Sequence, residues 1–127
     1  MTNARKKLGA WGESVAATHL EANQYTICDR NWRARTREHG MSGELDIVAR
    51  RGQHWAFVEV KTRRGGLPEQ QITTRKAHQL MQLALVYLEA HNLSDETDFS
   101  IDLVAVELDG SGKLLRIEHI PNIVVEW

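Results

Sequence analysis

The chain has 127 residues, is 42% hydrophobic and 26% charged, and carries a net charge of −1. That length and composition suit a single globular domain over 1–127 with a real core. They exclude a helical membrane protein, since no run approaches the roughly 20 apolar residues a spanning helix needs. The basic start MTNARKKLGAW has no apolar segment behind it, so no secretion signal is expected. Cys28 stands alone, which rules out an internal disulfide and fits a reducing, cytoplasmic setting; a buried small side chain is its expected role.

Residues 4–22 read as a helix, with Leu8, Trp11, Val15 and His19 recurring at helical spacing beside Ala16 and Leu20. Glu13 falls at the edge of that stripe. YTICDRNWR (25–33) reads as a strand, and RARTREHGMSG (33–43) as a polar, basic loop. ELDIVARRGQHWAFVEVK (44–61) reads as a β-hairpin turning at Gly52-Gln53. TRRGGLPEQQ (62–71) is a second loop. Thr73 to His91 is a second helix, with Ala77, Leu80, Met81, Ala84, Tyr87 and Leu88 on one face. FSIDLVAVEL (99–108) and KLLRIEHI (113–120) are strands joined by the turn DGSG. Gly110-Ser111-Gly112-Lys113 resembles the end of a phosphate-binding loop, but Leu114 stands where a Ser/Thr is needed and a strand follows where a helix should. The order is α-β-β-β-α-β-β.

Charge divides along the chain. Residues 1–76 hold 14 Lys/Arg against 8 Asp/Glu, and residues 77–127 hold 2 against 9. A basic first half fits an anionic partner such as nucleic acid, or simply a dipolar, soluble surface.

The hairpin carries the chemistry. With a two-residue turn at Gly52-Gln53, facing residues place Asp46 opposite Glu59, Glu44 opposite Lys61 and Val48 opposite Phe57. Leu45, Ile47 and Ala49 with Ala56, Val58 and Val60 then form an apolar face, and the acids share the other. Two facing carboxylates about 5 Å apart repel by roughly 3 kcal/mol at an effective dielectric near 20. A divalent cation relieves that repulsion, because hard cations prefer carboxylate oxygens. Asp46 and Glu59 are therefore candidate ligands for Mg²⁺ or Mn²⁺, Glu13 a candidate addition, and Lys61 a candidate stabiliser of developing charge. The competing account is a solvated sheet face with cross-strand ion pairs and an ordinary boundary Glu13.

Glu13 in a first helix, Asp46, and Glu59-Val60-Lys61 thirteen residues on resemble the PD-(D/E)XK nuclease superfamily, most closely its archaeal Holliday-junction-resolvase branch. GELDIVA, FVEVKTR and ICDRNWR are similar to the YraN-like family of bacterial endonuclease-like proteins. The resemblance covers nearly the whole chain. Leu45 replaces the proline of the motif's name, and the second helix lacks the Gln-to-Tyr spacing of the RecB-like branch.

The resemblance implies an α/β, restriction-endonuclease-like α-β-β-β-α-β core with a mixed central sheet flanked by helices. It implies Mg²⁺-dependent phosphodiester hydrolysis with Asp46 and Glu59 as metal ligands, Glu13 assisting and Lys61 catalytic. It also implies DNA, branched DNA included, ahead of RNA as substrate, and homodimerisation. Arg33, Arg35, Arg37, Arg63, Arg64 and Lys76 flank the hairpin and are the expected phosphate contacts. The alternative function is a non-catalytic nucleic-acid-binding or protein-assembly module on the same fold. The apolar tail Ile123, Val124, Val125 and Trp127 would then supply a protein-contact patch.

Overall fold

The computed structural model describes residues 3–34, 43–65 and 72–123. Seven elements run along the chain: α1 (Asn3–Ala22), β1 (Thr26–Trp32), β2 (Leu45–Arg51), β3 (His54–Arg64), α2 (Thr74–Ala90), β4 (Phe99–Leu108) and β5 (Leu114–Ile120). The order α-β-β-β-α-β-β is the one expected from the sequence. The strands form one mixed sheet in the order β1-β2-β3-β4-β5. Every neighbouring pair is antiparallel except β3 and β4, which run parallel from Trp55↔Phe99 to Arg64↔Leu108. A parallel pair needs a long crossover, and α2 supplies it.

The hairpin turns where the sequence places it. The ladder pairs Arg51↔His54, Arg50↔Trp55, Ala49↔Ala56, Val48↔Phe57 and Ile47↔Val58. Gly52 has φ +63, a left-handed conformation that glycine adopts without steric cost. α2 begins at Thr73, whose side chain accepts a hydrogen bond from the Lys76 N–H. That bond satisfies one of the donors a helix start leaves open. At the last turn, Asp109 Oδ1 accepts bonds from the Ser111 N–H, the Ser111 hydroxyl and the Lys113 N–H. The Gly-Ser-Gly-Lys stretch is therefore a hairpin turn.

The sheet is flanked by helices on both sides, as the resemblance implies, so the face that carries the acids is covered too. Ala16, Ala17 and Leu20 of α1 pack on Ile47, Ala49, Ala56, Val58, Val104 and Val106. Leu80, Leu83, Ala84, Tyr87 and Leu88 of α2 pack on Val48, Phe57 and Ile101. Leu45 joins the α2 cluster, not the α1 cluster with Ile47. The period-two alternation breaks between them, at Asp46. The acids thus lie at the end of a closed core and not along an open sheet surface.

α1 is rotated from its expected stripe. Gly12, Ala16 and Leu20 face the sheet, while Trp11 is 39% exposed. Gly12 sits so close to β3 that a Cβ there would overlap the Thr62 side chain. Cys28 is exposed rather than buried. It falls in the register shift of β1 between Ile27 and Asp29, on an edge strand whose inward positions are taken by its neighbours. Among the described residues no helix is long and apolar enough to cross a membrane.

Candidate metal and nucleic-acid site

β2 and β3 separate just past Ile47↔Val58, and the gap is where Asp46 acts. Its Oδ2 accepts the Val60 N–H at 2.8 Å, replacing a ladder bond with a side-chain bond. The Glu59 carboxylate lies beside it, so two acidic groups face each other across the gap. Burial first, and then the charge of Glu59, push Asp46 up to about 7, against the downward pull of the Val60 N–H. The sequence-based pairing of Asp46 with Glu59 therefore survives as a contact, although it lies beyond the regular ladder.

Glu59 is 5% exposed and is neutralised from two elements. Lys61 Nζ lies 3.7 Å from its Oε2, and Lys76 Nζ, reaching down from the first turn of α2, lies 3.9 Å away. A buried acid needs such partners. Lys61 thus turns to Glu59, and the expected Lys61–Glu44 pair is replaced by other contacts. Glu44 precedes β2 and instead accepts from Arg33 Nε at 3.0 Å and from Asn31 Nδ2 at 3.1 Å.

Asn31 ties the site to α1. Its φ of +53 is left-handed, which asparagine tolerates better than most residues. Its Nδ2 donates to Glu13 Oε1 at 2.9 Å as well as to Glu44. Arg30 Nη2 lies 4.0 Å from Glu13 Oε1. Burial raises Glu13 above the ordinary carboxylate range; Asn31 pulls it down, and the charges of Asp46 and Glu44 push it up again. Gly43, at φ +96, lets the chain pass close to Gln79 of α2 on its way into Glu44.

Three carboxylates converge as a result. Glu13, Glu44 and Asp46 each offer an oxygen, and these oxygens lie within 4.8 Å of one another. The expected ligand set was Glu13, Asp46 and Glu59. Glu44 completes this triplet, and Glu59, the other expected ligand, sits beside Asp46 with the two lysines against it. The donor set fits a hard divalent cation: all oxygen, multiply anionic, and half-buried. Glu44 carried one sequence signal, its position two residues before Asp46, but its partners come from β1 and β1's irregular exit.

The expected phosphate contacts divide. Arg33 and Lys76 lie at the site, each against an acid. Arg63 and Arg64 are exposed at the end of β3. Arg35 and Arg37 lie outside the described residues, as do Val124, Val125 and Trp127. Ile123 packs against the α2-side core, and its N–H donates to the Ile101 carbonyl at 2.7 Å.

Comparison with known proteins adds a family. The sequence model of "Uncharacterised protein family UPF0102" matches residues 12–106. A UPF0102 protein of Roseiflexus castenholzii is 42% identical over 129 residues, covering 99% of each chain. One from Chloroflexus aurantiacus is 40% identical over 126 residues, again covering 99% of each. One from Acidothermus cellulolyticus is 44% identical over 126 residues, covering 95% of this chain and 91% of the relative.

Proposed function

The chain belongs to the UPF0102 family, and from that premise we propose that it is a divalent-metal-dependent nuclease, hydrolysing phosphodiester bonds of DNA. The observation that carries this is the convergence of Glu13, Glu44 and Asp46, with Asp46 pushed up to about 7 by burial and by Glu59. Such a half-buried cluster concentrates negative charge, and Mg²⁺ or Mn²⁺ would relieve it. Glu13, Glu44 and Asp46 would hold the ion, with Glu59 supporting Asp46. When bound, the ion polarises a phosphoryl oxygen and acidifies a water.

The chain's own groups do the rest. Asp46 holds a proton at its carboxyl near neutral pH and releases it as the site gains positive charge. Lys61 and Lys76 place ammonium groups beside Glu59, where the phosphate's developing charge would be stabilised. Arg30 and Arg33 bracket the acids from β1 and its exit, and would contact flanking phosphates. Asn31 fixes Glu13 relative to Glu44. The similarity of the acid-and-lysine pattern to PD-(D/E)XK nucleases supports the same reading.

The decisive experiment is calorimetric titration of Mg²⁺ and Mn²⁺ into wild type and Asp46→Ala, followed by cleavage assays on single-stranded, duplex and branched DNA. Binding by wild type, its loss in the variant, and cleavage that disappears with it are expected. No cleavage of any of these substrates in either ion would sink the catalytic proposal. A second reading, a nucleic-acid-binding module without chemistry, is favoured by one observation: Glu13, Glu44 and Glu59 each already have a cationic side chain within 4.0 Å. DNA binding that persists in chelator and is unchanged or strengthened by Asp46→Ala would decide for it.

A further inference from the structure

Beside the acids, the exit of β1 and the last turn of α2 enclose a cleft of about 740 Å³. That lies within the roughly 300–1,000 Å³ typical of sites for small organic groups. Its wall is shared with the acidic site. Arg30, Asn31 and Arg33 line the cleft, and the same three side chains reach Glu13 and Glu44. Trp32 and His91 add ring surface. Trp32 meets Tyr87 edge-on, with ring centres 5.1 Å apart, so its position is set by the core below. His91 stacks on Tyr87 at 3.9 Å, and its side chain is 40% exposed.

Asp29 and Glu89 line the cleft as well, Asp29 being taken up by the Tyr87 hydroxyl at 2.7 Å and by His91 at 3.9 Å; the guanidinium groups, ring faces and amide together suit one class of ligand. Ring faces receive a base, guanidinium groups receive the phosphates on either side of it, and an amide can read a base edge. The phosphate side of the cleft is the side nearest the acids, because Arg30 and Arg33 join the two. We propose that this cleft receives the base of an unpaired nucleotide next to the bond that is cut, so that the protein acts on single-stranded or splayed DNA in preference to intact duplex. In a duplex each base face is covered by its neighbours and only edges face the grooves. A base can enter a cleft such as this one only after leaving the stack. The inference rests on the nuclease reading above, and deepens it by naming the form of the substrate.

The test is fluorescence anisotropy in Ca²⁺, which takes the same oxygen ligands. The probes are a labelled six-nucleotide thymidine strand, the same strand with one central abasic position, and a blunt DNA hairpin closed by a non-nucleotide linker, which offers no unpaired base. The intact strand is expected to bind at least about tenfold tighter than the hairpin, and the abasic position to cost at least about fivefold. Ala90→Trp, which fills the cleft from the exposed end of α2, and His91→Ala should each weaken the intact strand at least about fivefold, with the melting temperature as folding control.

Equal binding of strand and hairpin, no abasic penalty, or no binding of any probe overturns the proposal. Either variant folding normally and binding like wild type does so too. The nuclease reading fails separately. Strand preference and abasic penalty without Mg²⁺-dependent cleavage would remove the chemistry and leave the cleft. Cleavage of hairpin and strand at equal rates would leave the chemistry and remove the cleft.

Discussion

The Asp46 carboxylate takes the Val60 N–H at 2.8 Å and faces the charge of Glu59, and the two neighbours pull in opposite directions. The first favours the charged form and the second the protonated form. Burial and Glu59 win, and hold the group up to about 7. Because the folded value lies above the unfolded one, the folded chain binds the proton more tightly. This contribution to stability is complete below about pH 4 and is lost as pH rises to about 7 and beyond. Asp46→Asn keeps an oxygen for the Val60 N–H and removes the charge. It should raise the melting temperature at pH 8 by roughly 4 °C or more, and change it little at pH 4. Scanning calorimetry at the two pH values checks this; a larger gain at pH 4 would contradict the sign. Metal and proton compete for the same oxygens, so Mg²⁺ affinity in wild type should fall roughly tenfold for each pH unit below 7.

At the scale of elements, α1 reaches the site because Gly12 has no side chain. A Cβ there would overlap Thr62, a short β-branched residue that cannot swing away. Gly12→Ala would gain about 1 kcal/mol of helix propensity but force α1 off the sheet, at roughly 1–3 kcal/mol. A net fall in melting temperature is expected, with weaker Mg²⁺ binding because Glu13 moves with the helix. Thermal melts and titration of the variant measure both; a stabilised variant with unchanged Mg²⁺ affinity would show that the close approach is unimportant.

The elements themselves were legible. Helical spacing located α1 and α2, and Gly52-Gln53 fixed the register that places Val48 against Phe57. What local pattern could not show is anything that depends on a departure from regular backbone. Asn31 at φ +53 and the break at Asp46 move Leu45 to the α2 side and bring Glu44 to Glu13. Lys76 reaches Glu59 only because α2 crosses back over the sheet, a relation between residues far apart in sequence. The exposure of Cys28 follows from its place in a register shift, which composition does not reveal.

Across the whole molecule, sheet order follows chain order, so the charge division of the sequence becomes a division in space. The basic portion supplies α1 and β1–β3 around the acids, and the acidic portion supplies β4 and β5. Under the proposed function, this division would steer a polyanion toward the strands that hold the acids. The β4–β5 side of the sheet is held by a different network. Asp102, fully buried, accepts from Ser100 Oγ at 2.7 Å, His119 Nε2 at 2.8 Å and the Asn122 N–H at 2.9 Å. Burial raises Asp102, but the bonds from His119, Asn122 and Ser100 outweigh it and hold the carboxyl below its ordinary value. Its contribution to stability is present above about pH 4 and is lost as pH falls through the folded value, the reverse of Asp46. Asp102→Ala should cost on the order of 3 kcal/mol at pH 7, by leaving its donors without an acceptor. The penalty should shrink in acid. Urea denaturation at pH 7 and pH 3 tests both statements, and a penalty that does not shrink would assign the loss to packing alone.

The parallel pairing of β3 with β4 has a kinetic consequence. The β2–β3 hairpin closes through a two-residue turn, an event of microseconds. β4 can join only after α2 has formed and crossed over, which makes the second pairing slow. Asp46 and Glu59 lie just past the last pair of that hairpin, Ile47↔Val58, so their repulsion is expected to act on the barrier to folding as well as on the finished protein. Neutralising Asp46 by Asp46→Asn should then speed refolding at pH 8 more than it slows unfolding, as read from the two arms of a stopped-flow chevron. Two acids placed side by side would, on this account, leave a chain that folds more slowly than its topology alone requires.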